Sequence, residues 1–333
     1  MVHARGIAES LGLGAVWIKN EFSRLDLPSF KILGASWGTY RALDDRIGGF
    51  DEWSTLDDLK RQLGGRFSLA AATDGNHGRA VARMAKLLGL PAAIYVPAGT
   101  ADARIEGIRS EGASCEVVDG SYEDAVERSA QDASDDCLVI SDTSWEGYQD
   151  VPRWVIEGYS TIFKEVDEQL PEAPDVVFIQ MGVGALGAAA ARHFRSRSGG
   201  PRMIAVEPDH AACILASMEA GEIVTIPGPH DSIMAGLNCG TPSVVSWPDV
   251  SHGYDLYMSV SDRRAEEGMR ILADEGIVAG ETGAAGLAGL LEVCDGPLKE
   301  RLGLGSGSKV LLLCTEGATD PAAYERIVGR PPG

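Results

Sequence analysis

The chain is poor in positive charge, in aromatic rings and in closely spaced cysteines, and it has no long apolar run. Lysine and arginine number 29 against 49 aspartates and glutamates, a formal net charge of −20. A surface of that sign repels nucleic-acid phosphate and anionic lipid, so no nucleic acid and no membrane is expected as a partner. It suits a cationic small molecule better than an anionic one. The six cysteines (Cys115, Cys137, Cys213, Cys239, Cys294, Cys314) form no C-x-x-C pair. That spacing argues against a zinc ribbon or a disulfide frame and leads us to expect buried thiols of a reducing compartment. Of the six histidines only His77 stands in a motif, and the others have no metal-ligand spacing. No stretch approaches the roughly 20 apolar residues of a membrane helix. Residues 1–6 lack the apolar run of a signal peptide. A soluble, cytoplasmic protein is expected.

What is abundant is glycine, 41 of 333 residues, about 12% against a typical ~7%, which implies many tight turns and close backbone approaches. Short apolar runs alternate with helical patterns. Strands are expected at 15–19, 68–72, 92–96, 114–118, 138–141, 176–181, 203–207, 256–260 and 309–314, and the intervening segments read as helices. This alternation specifies an α/β fold built on mostly parallel sheets. Two three-layer domains are expected. One comprises 1–45 plus 143–333, an inserted smaller one spans 67–142, and a helical connection covers 46–66. Ligands of such folds sit beyond the carboxyl ends of the strands, often between domains.

Three stretches offer chemistry. In Leu27-Pro28-Ser29-Phe30-Lys31-Ile32-Leu33-Gly34-Ala35, Lys31 stands among apolar residues in a loop ahead of a helix expected from about Ala35. Such surroundings lower an amine's affinity for its proton and make it a usable nucleophile. Taken alone, the stretch fits equally a lysine that reaches out to water. Thr73-Asp74-Gly75-Asn76-His77-Gly78 lies between a strand and a helix. It combines helix-start amides with a carboxylate, an amide and an imidazole, although Asp74 or Asn76 could simply cap the helix. Gly182-Val183-Gly184-Ala185-Leu186-Gly187 also joins a strand to a helix and could seat a phosphate on its amides. With Glu207 ending the next strand, it equally matches a dinucleotide fingerprint, so a nicotinamide-dependent oxidoreductase is a rival reading. Asp142, at the end of the fourth strand of the smaller domain, is expected in the same cleft as Asp74. The Gly303–Gly307 turn precedes a strand and is no phosphate loop. Together these parts match the needs of pyridoxal 5′-phosphate: an amine to bond its aldehyde, a glycine turn for its phosphate, an amide for its phenolic oxygen. A thiol or hydroxyl, Cys314 or Thr315, could face its ring nitrogen.

Over almost the whole chain and in order, these residues resemble the β-family (fold type II) of pyridoxal-phosphate enzymes, whose fold is like that of the tryptophan synthase β subunit. Within it they look most like the ammonia-lyases acting on 2,3-diaminopropionate. The stretches carrying that likeness are Ala72–Arg79, Asp142–Tyr148, Val206–Asp209, Ile233–Leu237 and Thr315–Pro321. The resemblance implies a cofactor between the domains, with Lys31 bonded to it and moving protons. It implies Asn76 at the ring oxygen, Gly182 to Gly187 at the phosphate, and Cys314 or Thr315 at the ring nitrogen. Asp74 falls where a base would act on the face opposite Lys31, and Asp142 where it could pair with a second substrate ammonium. Thr73, Gly75 and His77 complete the expected substrate side. A small amino-acid substrate and a homodimer are further implications. A serine or threonine dehydratase, a β-replacement enzyme and a non-catalytic cofactor-binding protein remain alternatives. The family usually carries a further stretch ahead of the lysine segment, and Cys314 stands where serine is more usual.

Overall fold

The computed structural model describes residues 1–333. The strands are β1 (Val2–His3), β2 (Ala15–Asn20), β3 (Ser68–Ala72), β4 (Ala92–Pro97), β5 (Ser114–Val118), β6 (Cys137–Val139), β7 (Val176–Gln180), β8 (Arg202–Pro208), β9 (Leu256–Val260) and β10 (Lys309–Cys314). The helices are α1 (Arg5–Leu11), α2 (Lys31–Ile47), α3 (Leu56–Leu63), α4 (Asn76–Leu88), α5 (Asp102–Ser110), α6 (Tyr122–Ala130), α7 (Asp150–Gln169) and α8 (Ala185–Arg195). They continue with α9 (Cys213–Ala220), α10 (Trp247–Gly253), α11 (Asp262–Asp274), α12 (Ala285–Asp295), α13 (Leu298–Arg301) and α14 (Pro321–Val328).

Two compact units result, one of residues 1–30 and 159–333, the other of residues 31–158. The division therefore falls at 30/31 and 158/159 rather than at the expected 45/46 and 142/143. Glycine explains the grouping of α2 with the start of α7. A methyl at Gly38 would lie 2.9 Å from Val155 Cγ2, and one at Gly158 would overlap the Leu33 carbonyl. Helix α2 also packs on α4, which commits it to the four-stranded sheet.

The larger unit holds a six-stranded sheet in the order β1-β2-β10-β7-β8-β9. All pairs are parallel except β1 with β2. A two-residue strand such as β1 has no periodicity to read, so the sequence does not announce it. Strand β7 is buried along its whole length. Its Val176 and Phe178 join a core with Ile18 of β2, Leu312 of β10 and Leu287 of α12. Continuous apolar runs of this kind mark strands covered on both faces. The smaller unit holds a fully parallel sheet in the order β5-β4-β3-β6.

Both sheets reverse strand order at one place. In the larger unit, β7 is followed outward by β8 on one side and flanked by β10 on the other. In the smaller, β3 is followed by β4 on one side and flanked by β6 on the other. Connections leave such a point in opposite directions and open a crevice at the carboxyl ends of the two strands. Those four strand ends carry the candidate residues.

Helix α2 starts at Lys31 rather than at the expected Ala35, so Lys31 sits in a first helical turn and not in a loop. The preceding extended segment ends at Phe30 because it is pinned to the end of β10. Phe30 N donates to the Thr315 carbonyl at 3.1 Å, Gly317 N donates to the Pro28 carbonyl at 2.9 Å, and Ser29 pairs with Glu316. The expected buried thiols are also only partly found: Cys213, Cys239 and Cys314 are buried, and Cys115, Cys137 and Cys294 are half-buried.

Candidate active site

In the smaller unit, Lys31, Asp74, His77 and Asp142 converge. Asp142 follows β6, and its carboxylate accepts from Lys31 Nζ at 2.6 Å. Its other oxygen lies 3.5 Å from the Tyr122 hydroxyl. Asp142 is 6% exposed, and burial opposes its ionisation. The Lys31 ammonium, His77 and the hydrogen bond outweigh that cost and hold its carboxyl at about 2. Asp74 follows β3, next to β6 in the sheet. Its surroundings act the other way: burial pushes its carboxyl up to about 6, helped by Asp142, against the pull of Lys31 and Arg104. Two carboxylates at one switch point thus have different proton affinities, a pattern typical of acid–base sites.

The turn carrying Asp74 is built by its neighbours. Thr73 is buried, and its hydroxyl accepts from Gly75 N at 2.9 Å. Gly75 has φ +147°, which favours glycine, and the Arg104 side chain lies 3.0 Å from where a Cβ would be. Asn76 opens α4, and His77 follows it, 3% exposed. The His77 ring turns into the unit, with Nε2 2.7 Å from the Ile140 carbonyl.

In the larger unit, the turn after β7 runs from Met181 to Gly184, and α8 begins at Ala185. Gly184 adopts φ +96° and caps α8 without a side chain, and the first turn holds no acidic residue. The 235–239 turn crosses closely: a Cβ on Gly182 would lie 3.1 Å from Cys239 Sγ and 3.2 Å from the Gly236 carbonyl. Across the switch point, β10 ends at Cys314. Its thiol is buried and faces the Glu316 carbonyl at 3.4 Å, and burial pushes it far up, so it stays neutral. The Thr315 hydroxyl accepts from Gln180 Nε2 at 3.1 Å. The same Nε2 also lies 3.0 Å from the Leu313 carbonyl and 3.2 Å from the Thr282 carbonyl. Glu316 accepts from Thr282 N at 3.1 Å, which ties the small-residue turn at 280–284 to the end of β10.

The sequence profile of the family described as "Pyridoxal-phosphate dependent enzyme" matches residues 1–316. The chain belongs to that family. It is 36% identical over 349 residues to the diaminopropionate ammonia-lyase of Salmonella typhimurium, covering 97% of this chain and 85% of that one. A crystal structure of the Escherichia coli diaminopropionate ammonia-lyase with D-serine superposes with a TM-score of 0.91 at 35% identity. It covers 98% of this chain and 86% of that one. The E. coli enzyme in complex with an aminoacrylate-PLP azomethine reaction intermediate gives 0.89 at 34% identity, with the same coverage of both chains.

The residues present fit the family's cofactor, pyridoxal 5′-phosphate. The first amides of α8 have no carbonyl partner within the helix, and Gly184 supplies no side-chain oxygen to them, so a phosphate matches both their hydrogen bonds and the helix dipole. Lys31 is a partly exposed amine in a carboxylate-lined recess, and Cys314 and Thr315 are neutral groups at the other switch point.

The rival dinucleotide reading fails on Glu207. That residue is 0% exposed, and its two carboxylate oxygens accept from Ile214 N and Leu215 N, each at 2.8 Å. It caps α9 and is not available to a ribose. Sequence reasoning missed Tyr122 and Arg104. Both follow β strands of the smaller sheet, at the carboxyl-end edge that also carries Asp74 and Asp142, so applying the strand-end rule to β4 and β5 would have found them. It also missed Tyr148, whose hydroxyl donates to the Val139 carbonyl at 2.6 Å, accepts from Ser141 N at 3.1 Å and braces the strand end before Asp142.

Proposed function

We propose that the chain is an ammonia-lyase that converts 2,3-diaminopropionate, as the D and the L isomer, to pyruvate and ammonia. The α-C–H and β-C–N bonds break and release the first ammonia, and one water then cleaves the α-C–N bond and releases the second. When bound, pyridoxal 5′-phosphate supplies an electron sink for the charge left at the α-carbon. Lys31 would hold the cofactor through its amine and, once released from it by the substrate, move the α-proton on its own face. Asp74 takes the proton on the other face, which admits the second enantiomer. Asp142 pairs with the β-ammonium and orients it. Asn76 would contact the ring oxygen, and Gly182, Val183, Gly184, Ala185, Leu186 and Gly187 would hold the phosphate. Cys314 or Thr315 would stand at the ring nitrogen as a neutral partner. Thr73 and Gly75 hold Asp74 in place. We also propose a cytoplasmic homodimer, for which light scattering would give twice the 35.2 kDa of one chain.

The observation that carries this reading is the pair of carboxylates beside Lys31, with Asp142 2.6 Å from its nitrogen. A substrate with a second, β-ammonium gives Asp142 a partner beside Asp74, whereas serine and threonine carry no cation at that carbon. The 36% identity to an enzyme of that name supports the same choice. The test is pyruvate release from purified, cofactor-loaded protein given each isomer. Release from at least one is expected, and none from either overturns the substrate assignment. A panel of serine, threonine and added thiols tests dehydration and β-replacement. Borohydride should bleach the protein and place its label on Lys31.

A further inference from the structure

We propose that Gln180 is a positioning residue that turns the hydroxyl hydrogen of Thr315 towards the cofactor's ring nitrogen, and that Thr315 rather than Cys314 is the partner of that nitrogen. The proposal rests on the reading of the end of β10 as the ring-nitrogen side of the cofactor.

Three segments meet at the Gln180 amide. Gln180 ends β7 and is 2% exposed. Its Nε2 lies 3.0 Å from the Leu313 carbonyl, 3.1 Å from Thr315 Oγ1 and 3.2 Å from the Thr282 carbonyl. Carbonyl oxygens only accept, so the amide presents its NH2 group to them. A half-turn of the amide would set its own oxygen against both carbonyls and lose their hydrogen bonds. The orientation is kept although it leaves Gln180 Oε1 buried without a partner, which is destabilising. The turn that supplies one of these acceptors is itself fixed. Thr282 N donates to Glu316 Oε1 at 3.1 Å, and Gly280 N donates to the Glu316 carbonyl at 3.0 Å.

This arrangement decides what the Thr315 hydroxyl can do. An amide nitrogen accepts nothing, so Thr315 Oγ1 is the acceptor of the contact and its own hydrogen points away from Gln180. Thr315 is 1% exposed, and its hydroxyl donates to no other group of the chain. A buried hydroxyl with its hydrogen unspent calls for an acceptor, and a pyridine nitrogen offers a lone pair. Cys314 is differently placed. Its thiol donates to the Glu316 carbonyl at 3.4 Å, so its hydrogen is already used, and a thiol is a weak donor. The two neighbours at the end of β10 therefore divide: one closes a main-chain contact, and the other keeps a hydrogen for the cofactor. Gln180 makes that division, because it fills the acceptor side of Thr315 from a strand 135 residues away.

The test is nitrogen NMR of the full chain loaded with cofactor labelled at its ring nitrogen, read beside absorbance titrations of cofactor affinity. A hydrogen bond received by a pyridine nitrogen moves its signal upfield. Thr315→Val should therefore move the signal downfield and weaken binding by roughly 2- to 10-fold. Thr315→Ser should stay near the parent in both, and Cys314→Ala should leave the signal in place. Gln180→Met should move the signal in the direction of Thr315→Val, and combining the two should move it no further than Thr315→Val alone. Gln180→Glu keeps the shape and decides the matter should Gln180→Met fail to fold. A carboxyl, ionised or neutral, offers the Thr315 hydrogen an acceptor and draws it from the ring, with the same downfield shift. A signal moved by Thr315→Val but by neither Gln180 variant overturns the role of Gln180. A signal moved by Cys314→Ala and not by Thr315→Val overturns the choice of Thr315. A signal moved by neither, with cofactor bound and borohydride label on Lys31, overturns the placement of the ring nitrogen at the end of β10 and the proposal with it.

Discussion

Asp74 and Asp142 are the same chemical group at the ends of adjacent strands, yet burial dominates one and a cation the other. Asp142, held at about 2 beside the Lys31 ammonium, is ionised across the useful pH range in the cofactor-free protein and stands ready as a partner for a cation. Asp74, raised to about 6, can take and release a proton near neutrality. Asp74→Asn should therefore lower kcat/KM for one isomer of diaminopropionate by roughly 10²–10⁴-fold and affect the other less. Equal losses for both isomers would contradict a two-face division of labour. In the unmutated enzyme kcat/KM for the isomer that Asp74→Asn impairs should fall as pH drops below about 6, because the base must be ionised in the free protein. The sign for stability is opposite. A raised folded-state value means that stability is fully present below the unfolded carboxyl value and is lost as pH rises through about 6. Removing the charge with Asp74→Asn should thus stabilise the cofactor-free protein at neutral pH, by roughly 1–2 kcal/mol in denaturant titrations.

At the scale of elements, the two strand-to-helix turns do different work. The turn before α4 carries side chains and presents Asp74. The turn before α8 presents backbone, and its glycines keep side chains out. Gly184→Ala combines the disfavoured φ of +96° with a methyl 3.2 Å from Val250 Cγ2 and 3.3 Å from Ser246 Cβ. It should cost about 1–3 kcal/mol of stability and weaken cofactor binding by roughly 10-fold or more, measured by absorbance titration. Gly305→Ala, with nothing within 4 Å, serves as the comparison and should stay within about 0.5 kcal/mol of the parent. Unchanged cofactor affinity in Gly184→Ala would remove this turn from the phosphate site. Element positions were legible to within a few residues because period, glycine and capping signals are local. The start of α2 was not: backbone pairing of residues 28–30 with 315–317 sets it, and no signal in the neighbourhood of Lys31 reports a partner so far along the chain.

For the whole molecule, a net charge of −20 both attracts a cationic amino acid and strains the folded state by self-repulsion. Raising salt from about 10 mM to 1 M shortens the screening length from roughly 30 to 3 Å. Over that range Tm should rise by a few degrees and kcat/KM for diaminopropionate should fall, while serine, with no net charge, responds less. A kcat/KM independent of salt would argue that the field plays no part in capture. The sequence by itself determined the α/β class, nearly every strand, the family and the residue types of the site, since each is written in short-range pattern or in ordered motifs. Tertiary structure alone decided which strands are neighbours, and with them the two switch points. It decided that Asp142 meets a lysine 111 residues away, that Glu207 spends its carboxylate on α9, and that Gln180 turns its amide nitrogen towards Thr315. Burial and Coulomb energy depend on distances in space, and residue order carries no measure of those.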